Sequence, residues 1–275
     1  MFVEAINTIG TLANAYEIGK KSQPLLGKLI RRIRDRKLNI VICGAAGTGK
    51  STLGKLLSGE FYREDILQSY QISLRTEELE LDSKTPSSIL VLPGQSTFWN
   101  EALRKIANNQ VSLIINVVAY GYHSIGQIDY QNFPSYQQGA TPKEFLDAYT
   151  KDKRRLEIDL LDRLIPHLRV ASNSKIVMMT LVTKQDLWWQ NRHPVRDYYQ
   201  LGTYSESIKK IQNTLGQANF IHEYISASLL TENFAVGNGK ILAPVSEGYD
   251  QKIQLVNFDR VLQFIENNLD IELGR

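Results

Sequence analysis

A glycine-rich segment carries the residues most able to do chemistry: Gly44-Ala45-Ala46-Gly47-Thr48-Gly49-Lys50-Ser51, which matches the pattern GxxxxGK[ST]. It lies between an apolar run at 38–43 and a helical stretch at 52–57, which is the strand–turn–helix context that phosphate binding requires. Glycines let backbone N–H groups turn around phosphate oxygens, and the helix adds its positive end. We predict phosphate contacts for this segment and Thr52, with Lys50 reaching the β- and γ-phosphates and the Ser51 hydroxyl coordinating Mg²⁺.

A second motif is suited to recognising a base. Thr183-Lys184-Gln185-Asp186 directly follows the apolar run 176–182. The Asp186 carboxylate can accept hydrogen bonds from N1–H and the 2-amino group of guanine, an edge that adenine does not present. The aliphatic stem of Lys184 can lie along the base plane. The alternative explanation of Asp186 is a helix cap at a strand–helix turn.

A third segment, Ser226-Ala227-Ser228, ends the apolar run 220–225. A small residue at this place lets a backbone N–H approach the guanine O6, and we predict base contacts for Ser226 and Ala227. With the three segments in this order, the chain resembles the Ras-like small GTPases of the P-loop GTPase superfamily, as a divergent member of bacterial type. The resemblance covers about residues 38–228 and the last helix, and it implies binding of GTP and GDP with Mg²⁺ as cofactor.

The resemblance also implies catalytic residues after the apolar run 89–92. Where the family has DxxGQ, this chain reads Val91-Leu92-Pro93-Gly94-Gln95. The family pattern implies that the Gly94 N–H contacts the γ-phosphate, that Gln95 orients the attacking water and that Lys50 assists catalysis.

One family residue is missing from this segment. Val91 stands where the family has the aspartate that holds Mg²⁺ through water, and residues 87–95 contain no acid. The hydrolysis rate is therefore in question. For the second metal contact, which a switch threonine usually makes, Ser69 has the family's spacing, and Thr76 is the other candidate.

Three functions remain open at this point. The first is a guanine-nucleotide switch that hydrolyses GTP to GDP and phosphate, slowly without a partner, and that acts through a protein effector or regulator. The second is a GTP-binding scaffold with negligible hydrolysis, which Val91 favours. The third is a P-loop ATPase or kinase, which the sequence Thr183–Asp186 and the missing acid disfavour.

An alternation of strands and helices must position these motifs. Short apolar runs alternate with amphipathic stretches, a pattern typical of an α/β fold. We predict a three-layer, P-loop GTPase-like domain over residues 38–275 with about six mostly parallel strands and helices on both faces. Residues 70–81 have the alternation of an edge strand, and residues 119–140 and 229–252 are predicted to be long loops.

The basic residues are concentrated near the N-terminus. The net charge is +3, yet residues 20–37 contain eight basic residues and one acid, so the rest of the chain sums to −4. This distribution gives no support for general nucleic-acid binding. Residues 1–37 are predicted to be a basic helical extension interrupted at Pro24. It could pack on the domain, bind a protein or contact an anionic membrane through residues 20–37.

Composition excludes several other classes of protein. The single cysteine, Cys43, excludes a disulfide framework and a multi-cysteine zinc site. No apolar run approaches the roughly 20 residues that cross a bilayer, and the N-terminus lacks the pattern of a signal peptide. We expect a cytoplasmic protein, with peripheral attachment to a membrane as the alternative.

Overall fold

A six-stranded sheet forms the centre of the protein. The computed structural model describes residues 2–35, 39–58, 76–80, 88–108, 111, 113–126, 128–171, 175–237 and 239–268. The strands of the central sheet are β1 (Asn39–Cys43), β2 (Glu77–Glu80), β3 (Ser88–Val91), β4 (Leu113–Val118), β5 (Ile176–Val182) and β6 (Phe220–Ser226). Their order is β2-β3-β1-β4-β5-β6, and every pairing is parallel except that of β2 with β3. The predicted α/β class with six mostly parallel strands is therefore confirmed.

Helices cover both faces of this sheet, as predicted. They are α1 (Phe2–Asp35), α2 (Lys50–Ser58), α3 (Trp99–Asn108), α4 (Pro142–Ala171), α5 (Gln185–Trp188), α6 (Arg192–Gln200), α7 (Thr203–Leu215) and α8 (Gln251–Asn268). Alternate residues of each strand point to opposite faces, so Ile40 and Ile42 of β1 join one apolar core and Val41 and Cys43 join the other. The first core lies under α1, α2 and α8, and the second lies under α3, α4, α6 and α7.

The N-terminal helix is continuous, so the predicted interruption at Pro24 is wrong. Ile18 and Leu26, on either side of the proline, are both buried in the core beneath α8. Polar contacts with α8 add to this packing: Ser22 donates to Asp259 at 3.0 Å, and Arg32 donates to Glu266 at 2.9 Å. Tertiary contacts on both sides of the proline hold the helix in line, although a proline removes one hydrogen bond of the helical ladder.

The two predicted loops pack together on the outside of α4. Among its described residues, segment 119–140 contains only the 3₁₀ turn Tyr130–Asn132. Segment 229–252 contains a small hairpin, β7 (Phe234–Ala235) with β8 (Ile241–Ala243), and its last two residues belong to α8, which begins at Gln251. A third apolar cluster joins the two segments to α4, and it includes Ile125, Tyr130, Phe145, Tyr149, Phe234 and Val236.

None of the described helices has the length and apolar character needed to span a membrane.

Candidate nucleotide-binding site

The predicted phosphate loop connects the end of β1 to the start of α2. Three of its glycines have positive φ angles, +144° at Gly44, +79° at Gly47 and +98° at Gly49, where other residues are strained. A Cβ on Gly44 would collide with the carbonyl oxygen of Val117, and one on Gly47 would lie 2.6 Å from the Ser124 nitrogen. Gly44 and Gly47 are therefore required both by the backbone conformation and by the close approach of neighbouring segments, and Gly49 by its conformation.

Lys50 is the first residue of α2 and lies beneath this loop. Its side chain is buried, and Nζ donates to the Ala45 carbonyl oxygen at 2.8 Å. Burial lowers the pKa of the ammonium group to about 8, while the nearby carboxylate of Glu77 raises it. Negative phosphate oxygens in the loop would favour the charged form of Lys50, as the nearby carboxylate does.

The segment after β3 lies against the phosphate loop. The Gly94 carbonyl oxygen accepts hydrogen bonds from the Ala46 N–H at 2.9 Å and from Trp99 Nε1 at 3.0 Å. A Cβ on Gly94 would lie 2.5 Å from the Ala46 nitrogen and would collide with Lys50 Nζ. The next residue, Gln95, has a buried Oε1 with no hydrogen-bond partner among the described residues. The structure thus brings Gly94 to the loop that contains Lys50, and Gln95 is the next residue of the chain.

Val91 fills an apolar position at the end of β3. It is 1% exposed, and a Cβ on Gly54 would lie 2.7 Å from its Cγ2 atom, so α2 approaches the sheet closely here. In the sheet, Val91 pairs with Ile42 on one side and with Glu77 on the other. The position that holds an aspartate in the resembled family is therefore packed against α2.

The predicted metal ligands differ in where the structure places them. Ser51 is in the first turn of α2, and its Oγ lies 3.5 Å from Glu77 Oε1. Ser69 lies outside the described residues. Thr76 is partly buried and directly precedes β2. The described residues contain no cluster of three or more His, Cys, Asp and Glu side chains that could hold a metal ion by itself.

Thr183 joins the second motif to the phosphate loop. Its Oγ1 lies 2.7 Å from the Thr48 carbonyl oxygen and 3.0 Å from that of Val118. Its own carbonyl oxygen accepts a hydrogen bond from Trp188 Nε1 at 2.9 Å. Two segments that are 135 residues apart in sequence therefore meet at one edge of the sheet.

Asp186 is buried beneath a later part of the chain. The Ser228 hydroxyl donates to its Oδ1 at 2.5 Å, and the Glu232 N–H donates to its Oδ2 at 3.1 Å. Burial raises the pKa of the Asp186 carboxyl to about 6, and these two hydrogen bonds act in the opposite direction. Both carboxylate oxygens, which we predicted to read guanine, are bonded to the segment 228–232 in this structure.

The third motif contributes a different residue from the two that we predicted. Ser226 ends β6, and the Ala227 N–H donates to the Val182 carbonyl oxygen at 3.1 Å, so that N–H is already engaged. Ser228 contacts Asp186 instead. Serines stand on both sides of Ala227, and the sequence alone does not show which of them contacts Asp186. Because β6 ends at Ser226, the contact is made by Ser228.

Lys184 connects the base motif to the loop 119–126. It has a positive φ of +57°, and its Nζ donates to Ser124 Oγ at 2.6 Å and lies 5.7 Å from the centre of the Phe234 ring. Burial lowers the pKa of its ammonium group. Ser124 in turn donates its N–H to the Gly47 carbonyl oxygen at 3.0 Å. Sequence reasoning missed Ser124, because nothing in its neighbourhood has the pattern of a motif.

A buried carboxylate, that of Glu157 on α4, fixes the loop that carries Ser124. Its Oε1 accepts the N–H groups of Ala119 at 2.9 Å and Gly121 at 3.2 Å, and it lies 2.9 Å from His123 Nε2. Its Oε2 accepts the Tyr199 hydroxyl at 2.7 Å. Burial lowers the pKa of His123, although Glu157 raises it. A neutral His123 with its proton on Nε2 would make all four groups donors to one carboxylate.

Comparison with known proteins finds similarity only at the level of solved structures. No protein-family model and no curated protein matches the chain. The signal recognition particle receptor SRb–GDP–Mg from Chaetomium thermophilum is 11% identical with a TM-score of 0.44, covering 84% of this chain and 97% of that one. Toc33 from Arabidopsis thaliana with GDP and Mg²⁺ is 11% identical with a TM-score of 0.43, covering 94% and 97%. The small COPII coat GTPase SAR1 from Encephalitozoon cuniculi with GDP is 10% identical with a TM-score of 0.42, covering 91% and 89%.

Proposed function

We propose that the chain is a guanine-nucleotide-binding switch that hydrolyses GTP slowly on its own. The contact between Thr183 Oγ1 and the Thr48 carbonyl oxygen carries this proposal. It joins the predicted phosphate loop to the motif that contains Asp186 at one edge of the sheet, which supports the proposal. A nucleotide must contact both kinds of group, and both lie at this edge of the sheet.

Binding of guanine would change the contacts of Asp186. Its Oδ2 accepts the Glu232 N–H, so the base can pair with the carboxylate only when the backbone at Glu232 moves away. Guanine N1–H and the 2-amino group would then replace the backbone donor, and Ser228 could keep its hydrogen bond to Oδ1. Exchange of one set of donors for another keeps the buried carboxylate satisfied throughout.

The surroundings of Ser51 fit Mg²⁺. This ion usually keeps several waters and is bound by one or two protein oxygens together with substrate phosphates, and Ser51 offers one oxygen beside the phosphate loop. When bound, Mg²⁺ would neutralise charge that develops on the β- and γ-phosphate oxygens. Lys50 would supply positive charge from beneath the loop, and the unpartnered Gln95 Oε1 would accept a hydrogen bond from the attacking water.

The switch itself would be transmitted through Gly94. Its carbonyl oxygen bonds both to Ala46 in the phosphate loop and to Trp99 at the start of α3. A γ-phosphate that recruits the Gly94 N–H would shift this carbonyl and so change the position of α3. An effector protein that contacts α3 could then distinguish GTP from GDP.

Replacing Lys50 tests the proposal. We expect Lys50→Ala to weaken GTP binding roughly 10–100-fold, since it removes a charged hydrogen bond to phosphate worth about 1.5–3 kcal/mol. Lys55→Ala, on the same helix, is the matched control and should bind GTP like the unmodified chain. The measurement is fluorescent-GTP titration together with phosphate release, both with Mg²⁺. Phosphate release no faster than that of Lys50→Ala protein would refute the hydrolytic function.

A GTP-binding scaffold with negligible hydrolysis is the second candidate. The packing of Val91 against α2 favours it, because the residue at this position can supply no carboxylate. The same two measurements separate the candidates. Tight GTP binding that depends on Lys50, without phosphate release above the Lys50→Ala background, would identify the scaffold.

The basic N-terminal segment is also available to partners. Its apolar stripe is covered by α8, and Lys28 and Arg32 both pair with Glu266. Lys20, Lys21 and Arg31 are exposed, with Lys21 paired to Glu17 at 2.9 Å, and they could receive an acidic protein partner or anionic lipid. Vesicle sedimentation distinguishes the two, because equal sedimentation with anionic and neutral lipid would eliminate the membrane.

A further inference from the structure

We propose that Glu77 of β2 supplies the carboxylate of the Mg²⁺ site in place of the aspartate that is absent at Val91. This inference rests on the proposed nucleotide-binding function and names a residue that neither the motifs nor the resemblance selects. Its basis is the position of Glu77 in the sheet, the distance to Ser51 and the charge next to the phosphate loop.

Sheet register puts Glu77 beside the missing aspartate. Glu77 of β2 pairs directly with Val91 of β3 in the antiparallel ladder. Directly opposite residues in such a ladder have Cα atoms about 4.5–5.5 Å apart. A glutamate side chain can span that separation, so the carboxylate can reach the region that an acidic side chain at position 91 would occupy.

The alternation of β2 directs Glu77 towards α2. Leu79, two residues further along, packs into the apolar core beneath α2, and residues two apart share one face of a strand. Glu78 lies between them, points to the opposite face and is exposed. The strand therefore presents one carboxylate to the start of α2, and its neighbour faces away.

The distance between Ser51 and Glu77 fits a shared metal ion. Ser51 Oγ and Glu77 Oε1 are 3.5 Å apart. Mg²⁺ binds oxygen at about 2.0–2.1 Å in octahedral geometry, which puts two adjacent ligand oxygens about 3 Å apart. A movement of about 0.5 Å would bring the pair to that spacing, and a bridging water could serve without it.

Charge provides the third line of support. Glu77 Oε1 lies 3.5 Å from Ser51 Oγ, and Ser51 follows Lys50 at the start of α2, so the carboxylate also lies near the proposed place of the phosphates. A carboxylate there repels phosphate oxygens unless a cation lies between them. Glu77 should therefore weaken nucleotide binding without Mg²⁺ and strengthen it when Mg²⁺ is present.

The experiment compares Glu77→Gln with the matched control Glu78→Gln. Fluorescent-GDP affinity is measured in EDTA and across a Mg²⁺ titration, and Mn²⁺ binding to the GDP complex is measured by electron paramagnetic resonance. We expect Glu77→Gln to need a roughly 10–100-fold higher concentration of divalent cation for the same increase in GDP affinity. This range is typical when a residue that supports a metal site is lost. In EDTA its GDP affinity should equal or exceed that of the unmodified chain. Glu78→Gln should behave like the unmodified chain in every measurement.

Two results would overturn the inference, and they are distinguishable. Suppose that the unmodified chain binds GDP and that Glu77→Gln responds to Mg²⁺ and Mn²⁺ as the unmodified chain does. Glu77 is then not a ligand, although the proposed function stands. If the unmodified chain binds no GDP in EDTA or Mg²⁺, both the proposed function and the inference fail. Circular dichroism checks folding, and Glu77→Asp, which keeps the carboxylate, should retain a Mg²⁺ response if Glu77→Gln loses it.

Discussion

Replacement of Glu157 with alanine is expected to lower the free energy of unfolding by about 3–5 kcal/mol. The carboxylate accepts hydrogen bonds from two backbone N–H groups and the Tyr199 hydroxyl, and it also contacts His123 Nε2. Each buried donor that is left without a partner costs about 1–3 kcal/mol, and partial relaxation reduces the sum.

Urea unfolding followed by circular dichroism measures this effect. Asp159→Ala is the matched control, because Asp159 is on the same helix and exposed, so this variant changes helix propensity without removing a buried carboxylate. Glu157→Gln keeps one acceptor oxygen and should fall between the two. A change of less than about 1 kcal/mol for Glu157→Ala would mean that water or other groups satisfy these donors and that the carboxylate does not hold the loop.

The same variant should also affect the proposed nucleotide site. Glu157 holds the backbone at Ala119 and Gly121, and the loop continues to Ser124, which contacts Gly47 and Lys184. Loosening of this loop should therefore weaken GTP binding in Glu157→Ala even under conditions where the protein remains folded. Stability and binding are linked here through one loop, because its residues contact both α4 and the phosphate loop.

The parts of the fold that the sequence predicts have local signals. The phosphate loop is recognisable because its glycines and Lys50 stand at fixed spacings between a short apolar run and a helix. The start of α4 is recognisable because Thr141 and Glu144 form a reciprocal capping box, with the Thr141 N–H donating to Glu144 at 2.8 Å. Each of these features is encoded within about ten residues.

The features that the sequence does not predict depend on contacts between distant segments. Helix α6 was not predicted, because only Val195 and Tyr199 of its nine residues are buried. Two apolar positions are too few to show the periodicity of a helix. Glu157 stands among charged residues of α4 that are exposed, so its burial follows from the loop that lies over it. The position of Glu77 follows from the register of the sheet, and that of Ser228 follows from the residue at which β6 ends. Neither can be predicted from the pattern of neighbouring residues in the sequence.

Asp186→Asn is expected to weaken GTP binding roughly 10²–10³-fold. Guanine presents two donors, N1–H and the 2-amino group, to the two oxygens of the carboxylate. The amide of asparagine replaces one acceptor with a donor, so one hydrogen bond becomes a contact between two donors. Loss of charge on the remaining acceptor weakens the other bond, and the combined cost of about 3–4 kcal/mol gives this range.

The direction of specificity provides a sharper test than the loss of affinity. Xanthine carries a carbonyl oxygen where guanine carries the 2-amino group, so it offers one donor and one acceptor and matches the amide of asparagine. We expect XTP to compete better than GTP for Asp186→Asn, and GTP to compete better than XTP and ATP for the unmodified chain. Competition against a fluorescent nucleotide, with the surface variant Asp197→Asn as control, measures the order of the three.

The contacts of Asp186 also predict how this preference is reached. In the structure Oδ2 accepts the Glu232 N–H, so guanine gains access only as that hydrogen bond is broken. Asparagine has one acceptor oxygen and no charge, so its hydrogen bonds with Ser228 and Glu232 should be weaker and the segment 228–232 held less firmly in Asp186→Asn. The association rate of XTP with Asp186→Asn should therefore be faster than the association rate of GTP with the unmodified chain. ATP binding as tight as GTP binding in the unmodified chain, unaltered by Asp186→Asn, would show that this carboxylate reads no base and that its hydrogen bonds to Ser228 and Glu232 are purely structural.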